Sequence, residues 1–222
     1  MAVEPQASRS TRSAWSWSRR LLGGGATGNE RLTGVVGGVL IVLLAVIGVT
    51  IIRLGQLLSV HLFVGVLLIG PLLLKLASTG YRFARYYTAN PRYKRKGPPP
   101  LALRLIAPIV VLSTLVVFAS GVALLFIGPS SRETLLPIHK VSFFVWVAFT
   151  AVHVLAHLPT VLSSLRADYI RPARHTEFGG HYRHANGHTG RVISLASALV
   201  LGLVLALLAI PQFGPWLAAH HH

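Results

Sequence analysis

The chain has 222 residues, of which 53% are hydrophobic and only 12% charged, and its mean hydropathy is +0.62. Soluble domains carry about twice that charge fraction, so a water-soluble globular enzyme is excluded and a polytopic membrane protein is expected. The 21 Lys and Arg against 5 Asp and Glu give a formal charge of +16, which in such a chain reads as topogenic signal and attraction to anionic lipid, not as nucleic-acid binding.

Residues 1–30 form a Ser/Arg/Gly-rich segment whose composition cannot build a core, and it is expected to be disordered. Within it Ser18-Arg19-Arg20-Leu21-Leu22 is a weak echo of a twin-arginine export signal. Glu30 and Arg31 interrupt the apolar run that should follow, and no small-residue cleavage site succeeds the first span, so a retained anchor is expected. A membrane-crossing helix needs about 20 apolar residues. Residues 33–52, 57–78, 105–127, 136–158 and 192–210 meet that requirement. The fold class is therefore all-α. The expected divisions are a basic cytoplasmic tail (1–30), a four-helix bundle (31–165), a His-rich cytoplasmic loop (166–190), and a fifth transmembrane helix with an external C-terminus (191–222).

Lys and Arg between the spans set the orientation. Five lie in the tail (Arg9, Arg12, Arg19, Arg20, Arg31), and seven between the second and third spans (Arg82, Arg85, Arg92, Lys94, Arg95, Lys96, Arg104). Five more lie between the fourth and fifth (Arg166, Arg171, Arg174, Arg183, Arg191). The other side has Arg53, Arg132 and Lys140, and Lys75 alone falls within a span. The N-terminus is expected in the cytoplasm and the C-terminus outside, in a multi-pass protein. Tyr81-Arg82-Phe83-Ala84-Arg85-Tyr86-Tyr87 places rings and cations at the headgroup level, and Pro98-Pro99-Pro100 stiffens the return into the third span.

The second and fourth spans begin alike. Leu57-Leu58-Ser59-Val60-His61 aligns with Leu135-Leu136-Pro137-Ile138-His139, and Ile47-Gly48-Val49 with Ser120-Gly121-Val122. The first four spans thus read as two tandem hairpins, whose symmetry axis along the membrane normal brings the second and fourth helices to equivalent positions. His61 and His139 are then expected at equal depth, about one turn below the outer surface.

With no cysteine among the 222 residues, the 11 histidines are the metal ligands present in number. An isolated interfacial histidine bonded to backbone or water would be unremarkable. Two at matched depth on symmetry-related helices suit a haem b iron held between neutral imidazoles, one from each helix. His153 lies about 21 Å along the helix from His139 and within about 40° of the same face, the separation that stacks two haems across a bilayer. His157, five turns beyond His139, points the same way. Gly48 and Gly121 offer helix surface without side chains at the outer level, and Gly34 and Ala107, fourteen residues before them, are expected to repeat small residues at the inner level.

This arrangement, His-x13-His on the fourth helix facing a His on the second with glycines on the first and third, resembles the four-helix haem bundle of cytochrome b in quinol-oxidising bc complexes. Ser120-Gly121-Val122-Ala123-Leu124-Leu125, Ile138-His139-Lys140-Val141-Ser142 and Ala151-Val152-His153-Val154-Leu155-Ala156-His157-Leu158 are similar to the membrane cytochrome b subunits of bacterial formate dehydrogenases and nickel-iron hydrogenases. The resemblance covers residues 34–158. It implies electron transfer between a quinone pool and a partner redox protein or dehydrogenase subunit, in a bacterial cytoplasmic membrane, with haem b at His61 and His139 and a second haem at His153.

The position on the second helix that pairs with His153 is Lys75. Lysine ligates iron only when deprotonated. A Lys–His haem, a five-coordinate haem on His153, a partner for a haem propionate and a lysine snorkelling to its own headgroup level all remain open there. His175, His181, His184 and His188 have metal-compatible spacing, but Gly179, Gly180, Asn186 and Gly187 point to a solvated loop. Residues 220–222 read as the remnant of a purification tag. The absence of paired carboxylates in any span counts against a proton-coupled transporter. The rivals to the electron-transfer subunit are a haem-free structural or assembly protein and a transporter using His61, His139, His153 and His157 as a metal path.

Overall fold

The computed structural model describes residues 25–88, 91, 101–166 and 187–220. Five helices among them are long and apolar enough to cross a membrane, namely Gly25–Ile52, Leu54–Tyr87, Leu103–Ile127, Arg132–Leu165 and His188–Ala219. The described chain is all-α, as expected for a medium that cannot satisfy free backbone groups. The regular elements are α1 (Gly25–Ile52), α2 (Leu54–Leu67), α3 (Ile69–Tyr87), α4 (Leu101–Ile127), α5 (Arg132–Leu165), α6 (His188–Ala209) and α7 (Phe213–His220). The ends of the bundle are called upper, for Arg53, Gly128 and α7, and lower, for Gly25, Tyr87 and His188.

Two upper turns make two hairpins. The first is a single residue, Arg53, between α1 and α2, after which Leu57 leaves helical geometry (φ −117, ψ 23) and bends the start of the second span. The second needs Gly128 at φ +85, which residues with a Cβ rarely adopt, followed by one 3-10 turn, Pro129–Ser131. Gly187, at φ +77 and ψ 10, precedes α6 in the left-handed helical region.

The spans are apolar on all sides, and Leu73, Phe126, Phe144, Leu155 and Leu208 are each more than half exposed. Such a surface is stable against lipid and not against water. Packing follows the hairpins: α4 lies along α5, and α1 along α2 and α3. α1 also packs on α5, while α6 packs on α2 and α3. Small residues set the closest approaches, as is usual where no hydrophobic driving force separates helix from lipid. Gly70 meets the Ala198 carbonyl and Gly202 meets that of Leu67. Pro71 lacks the N–H that would bond Leu67 within its own helix, so that carbonyl is left to face Gly202. At the upper end Leu125, Ala209 and Phe213 form a buried cluster with Leu62, Phe63, Val66, Trp216 and Leu217 around it.

Two expectations need correction. Residues 25–30, assigned to a disordered tail, already belong to α1, and His188, assigned to the loop, is the first residue of α6. Beyond the fifth apolar stretch the chain turns into α7, which its composition did not announce. The rest of the tail, His175, His181, His184, and His221 and His222 lie outside the described residues.

Candidate functional site

His61 is one turn past the Leu57 bend on α2, and its Nδ1 lies 2.9 Å from Thr50 Oγ1 on α1. Thr50 is only 1% exposed, and its single hydroxyl proton goes to the Ile47 carbonyl at 2.7 Å. With that proton on Ile47 the hydroxyl accepts from the imidazole, an arrangement in which Nδ1 carries the hydrogen and Nε2 keeps its lone pair. His139 on α5 repeats the device. Its Nδ1 is 3.0 Å from the Val117 carbonyl and 3.1 Å from Ser120 Oγ on α4. A carbonyl only accepts, and Ser120 spends its own proton on Val117 at 3.1 Å. His139 is thus also an Nδ1–H imidazole with a free Nε2.

The hydroxyls were missed in the sequence. Ile47 with Thr50, and Val117 with Ser120, are the same three-residue back-bond on the odd helix of each hairpin. Each presents its oxygen to the histidine of the even helix, 11 residues on in one hairpin and 19 in the other. The structural equivalence is therefore Thr50 with Ser120, one helical turn away from the register that paired Gly48 with Gly121. The two glycines accordingly differ. A Cβ on Gly121 would stand 3.0 Å from His139 Cε1, so this glycine makes room for the imidazole, whereas nothing lies within 4 Å of a Cβ on Gly48.

Below this pair the expectations fit less well. Gly34 sits against Ser164 at the lower end of the α1–α5 contact, eleven residues past His153, and Gly37 and Gly38 abut Val161 and Leu165. These are packing glycines, and Gly34 does not mark a second level of small residues around His153. Lys75 does not run along its own helix: Nζ donates to the Thr33 carbonyl of α1 at 2.8 Å, in space left by Gly37. Asn29 Nδ2 bonds the Ser78 carbonyl (3.0 Å) and Thr33 Oγ1 lies 3.0 Å from Ser78 Oγ, so a polar seam joins α1 to α3 here. His153 faces no imidazole from the second span. Its ring neighbour is His157 on its own helix, with centroids 4.6 Å apart, and its Nδ1 is buried without a partner. Among the described residues no three of His, Cys, Asp and Glu converge as a metal cluster would.

The upper pair suits a haem iron on grounds internal to this structure. Two neutral imidazoles on different helices each have Nδ1 fixed by an acceptor and Nε2 available, which is how metal-bound histidines are held, and Gly48 leaves bare helix surface on α1. The lower group does not suit a bis-imidazole haem, because Lys75 stands where the second ligand would and is turned toward Thr33. No protein-family model, curated protein or solved structure matches the chain.

Proposed function

We propose that the chain is a membrane-embedded b-type cytochrome in which His61 and His139 hold one haem b near the upper end of a four-helix bundle. It passes electrons between a quinone pool and a partner redox protein or dehydrogenase subunit. The observation that carries this reading is the duplicated anchoring of the two imidazoles, by Thr50 on one side and by Ser120 with the Val117 carbonyl on the other. Bound haem supplies a one-electron Fe(III)/Fe(II) couple. The residues' own work is to present two Nε2 lone pairs in a fixed tautomer, to hold the rings through Nδ1, and to keep water away with the cluster of Leu125, Phe213 and Trp216 above. With 17 of the Lys and Arg on the lower-side segments, the lower end faces the cytoplasm of a bacterial cell and the haem lies toward the outer face.

The test is pyridine-haemochrome stoichiometry with visible spectra on protein expressed with adequate haem supply. The parent should carry one low-spin haem. His61→Ala and His139→Ala should each lose it or turn it high-spin, while His157→Ala, roughly 27 Å along the helix from His139, should spare it. Unaltered low-spin spectra in both upper variants overturn the assignment. Colourless metal-free parent protein selects an assembly role, and bound copper or zinc selects the transporter.

A further inference from the structure

Away from the upper pair, the lower half of the bundle gathers cations and imidazoles that electron transfer does not use. Lys75 on α3 commits one ammonium N–H to the Thr33 carbonyl. Arg82, seven residues on, returns to within about 20° of the same helix face. Lys75 Nζ and Val161 of α5 meet over Gly37, and His157, one turn before Val161 on the same face of α5, stands beside His153 with ring centroids 4.6 Å apart. All four side chains are partly buried. Glu133 is at the far end of the molecule, and Glu30, the one acid among the described residues at this end, already has an interaction of its own. Positive charge and donors without acceptors at the edge of an apolar medium are costly, and an anion with several oxygens would relieve both.

Where that anion comes from follows from the depth of the cluster. Lys75 is one turn inside the lower end of its apolar stretch, and Arg82 is just beyond it, beside Tyr81 and the Tyr86–Tyr87 ring pair. That is the depth at which lipid phosphates lie, and basic pockets between spans on this side are suited to them.

We propose that Lys75, Arg82, His153 and His157 bind the phosphate of an anionic phospholipid of the lower leaflet. The site is independent of the haem reading.

Native mass spectrometry of the full-length protein in detergent tests it, using phosphatidylglycerol and phosphatidylcholine of matched chains as probes, with inorganic phosphate as a further arm. The parent should hold one phosphatidylglycerol about tenfold more tightly than phosphatidylcholine, as expected for charge-assisted hydrogen bonds. Lys75→Gln and Arg82→Gln should each abolish that preference, and Arg85→Gln, on another face, should keep it. His61→Ala should also keep it, which separates this site from the cofactor. Arg82→Gln, at the headgroup level, guards against loss of folding in the Lys75 variant. Equal retention of the two lipids, or unchanged preference in both Gln variants, overturns the proposal. Displacement of the lipid by millimolar inorganic phosphate would make this a free-anion site and overturns the lipid as its source. A Lys75→Gln protein with altered haem spectrum and undiminished lipid preference would assign the lysine to a propionate instead, which also overturns it.

Discussion

Thr50 Oγ1 lies 2.9 Å from His61 Nδ1 and 2.7 Å from the Ile47 carbonyl, so a hydroxyl that donates to Ile47 accepts from Nδ1 and leaves Nε2 free. Ser120 stands in the same relation to His139, with the Val117 carbonyl as a second acceptor. The two hairpins thus share a chemical device more clearly than they share a sequence.

Removing the acceptor while keeping the shape should loosen the ligand. Thr50→Val is expected to lower haem affinity by about ten- to a hundredfold, the usual cost of losing the partner of a ligating histidine, and Thr50→Ser to restore it. Haem titration of apoprotein measures both. Equal affinity in the Val variant and the parent would show that Thr50 does not orient His61.

The two upper glycines should respond differently to one methyl group. Gly121→Ala puts Cβ at 3.0 Å from His139 Cε1, so the ring must give by a few tenths of an ångström and lengthen its Nδ1 hydrogen bonds, at a cost of about 1–2 kcal/mol. Gly48→Ala meets no neighbour and should stabilise the apoprotein by about 0.5–1 kcal/mol, as expected for a glycine inside a helix. Its cost should appear only in haem binding, where the methyl group occupies bare helix surface. Thermal unfolding of apoprotein and haem titration, run side by side, separate these outcomes.

The spans, their hairpin pairing and the two upper histidines were legible because apolar length and imidazole spacing are one-dimensional signals. Thr50 and Ser120 were not. A hydroxyl in an apolar helix ordinarily bonds back to its own turn, and both do so; only the third dimension shows that the same oxygen also accepts from a histidine. Gly34 was misread because spacing along one helix does not say which neighbour fills the gap, and here it is Ser164. Lys75 was placed correctly in sequence, but the direction of a four-carbon stem depends on where Gly37 leaves room on the facing helix.

The crossing of the second and fifth spans should tolerate no side chain. Gly202→Ala places Cβ against the Leu67 carbonyl, and backbone cannot yield as a side chain can, so a loss of about 3 kcal/mol is expected. Gly65→Ala, with nothing within 4 Å, should instead be stabilising by about 0.5–1 kcal/mol. Denaturant unfolding in mixed micelles measures both. A Gly202 variant as stable as the parent would show that the two helices do not pack at this point.

Topology can be checked without background, since the chain has no cysteine of its own. Single cysteines at Arg132 and at Ala219 should react with an impermeant maleimide added to intact cells, and one at Lys94 should react only after lysis. The reverse pattern would move the histidine pair to the cytoplasmic face.

Trp216 Nε1 donates to the Leu124 carbonyl at 3.2 Å across 92 residues of chain, and Phe213 completes the cluster over the second and third spans. During synthesis, then, both hairpins are finished before the residues that cover Leu124 and Leu125 at their upper end have left the ribosome. Until the fifth span has been delivered across the bilayer, this part of the upper rim has no cover.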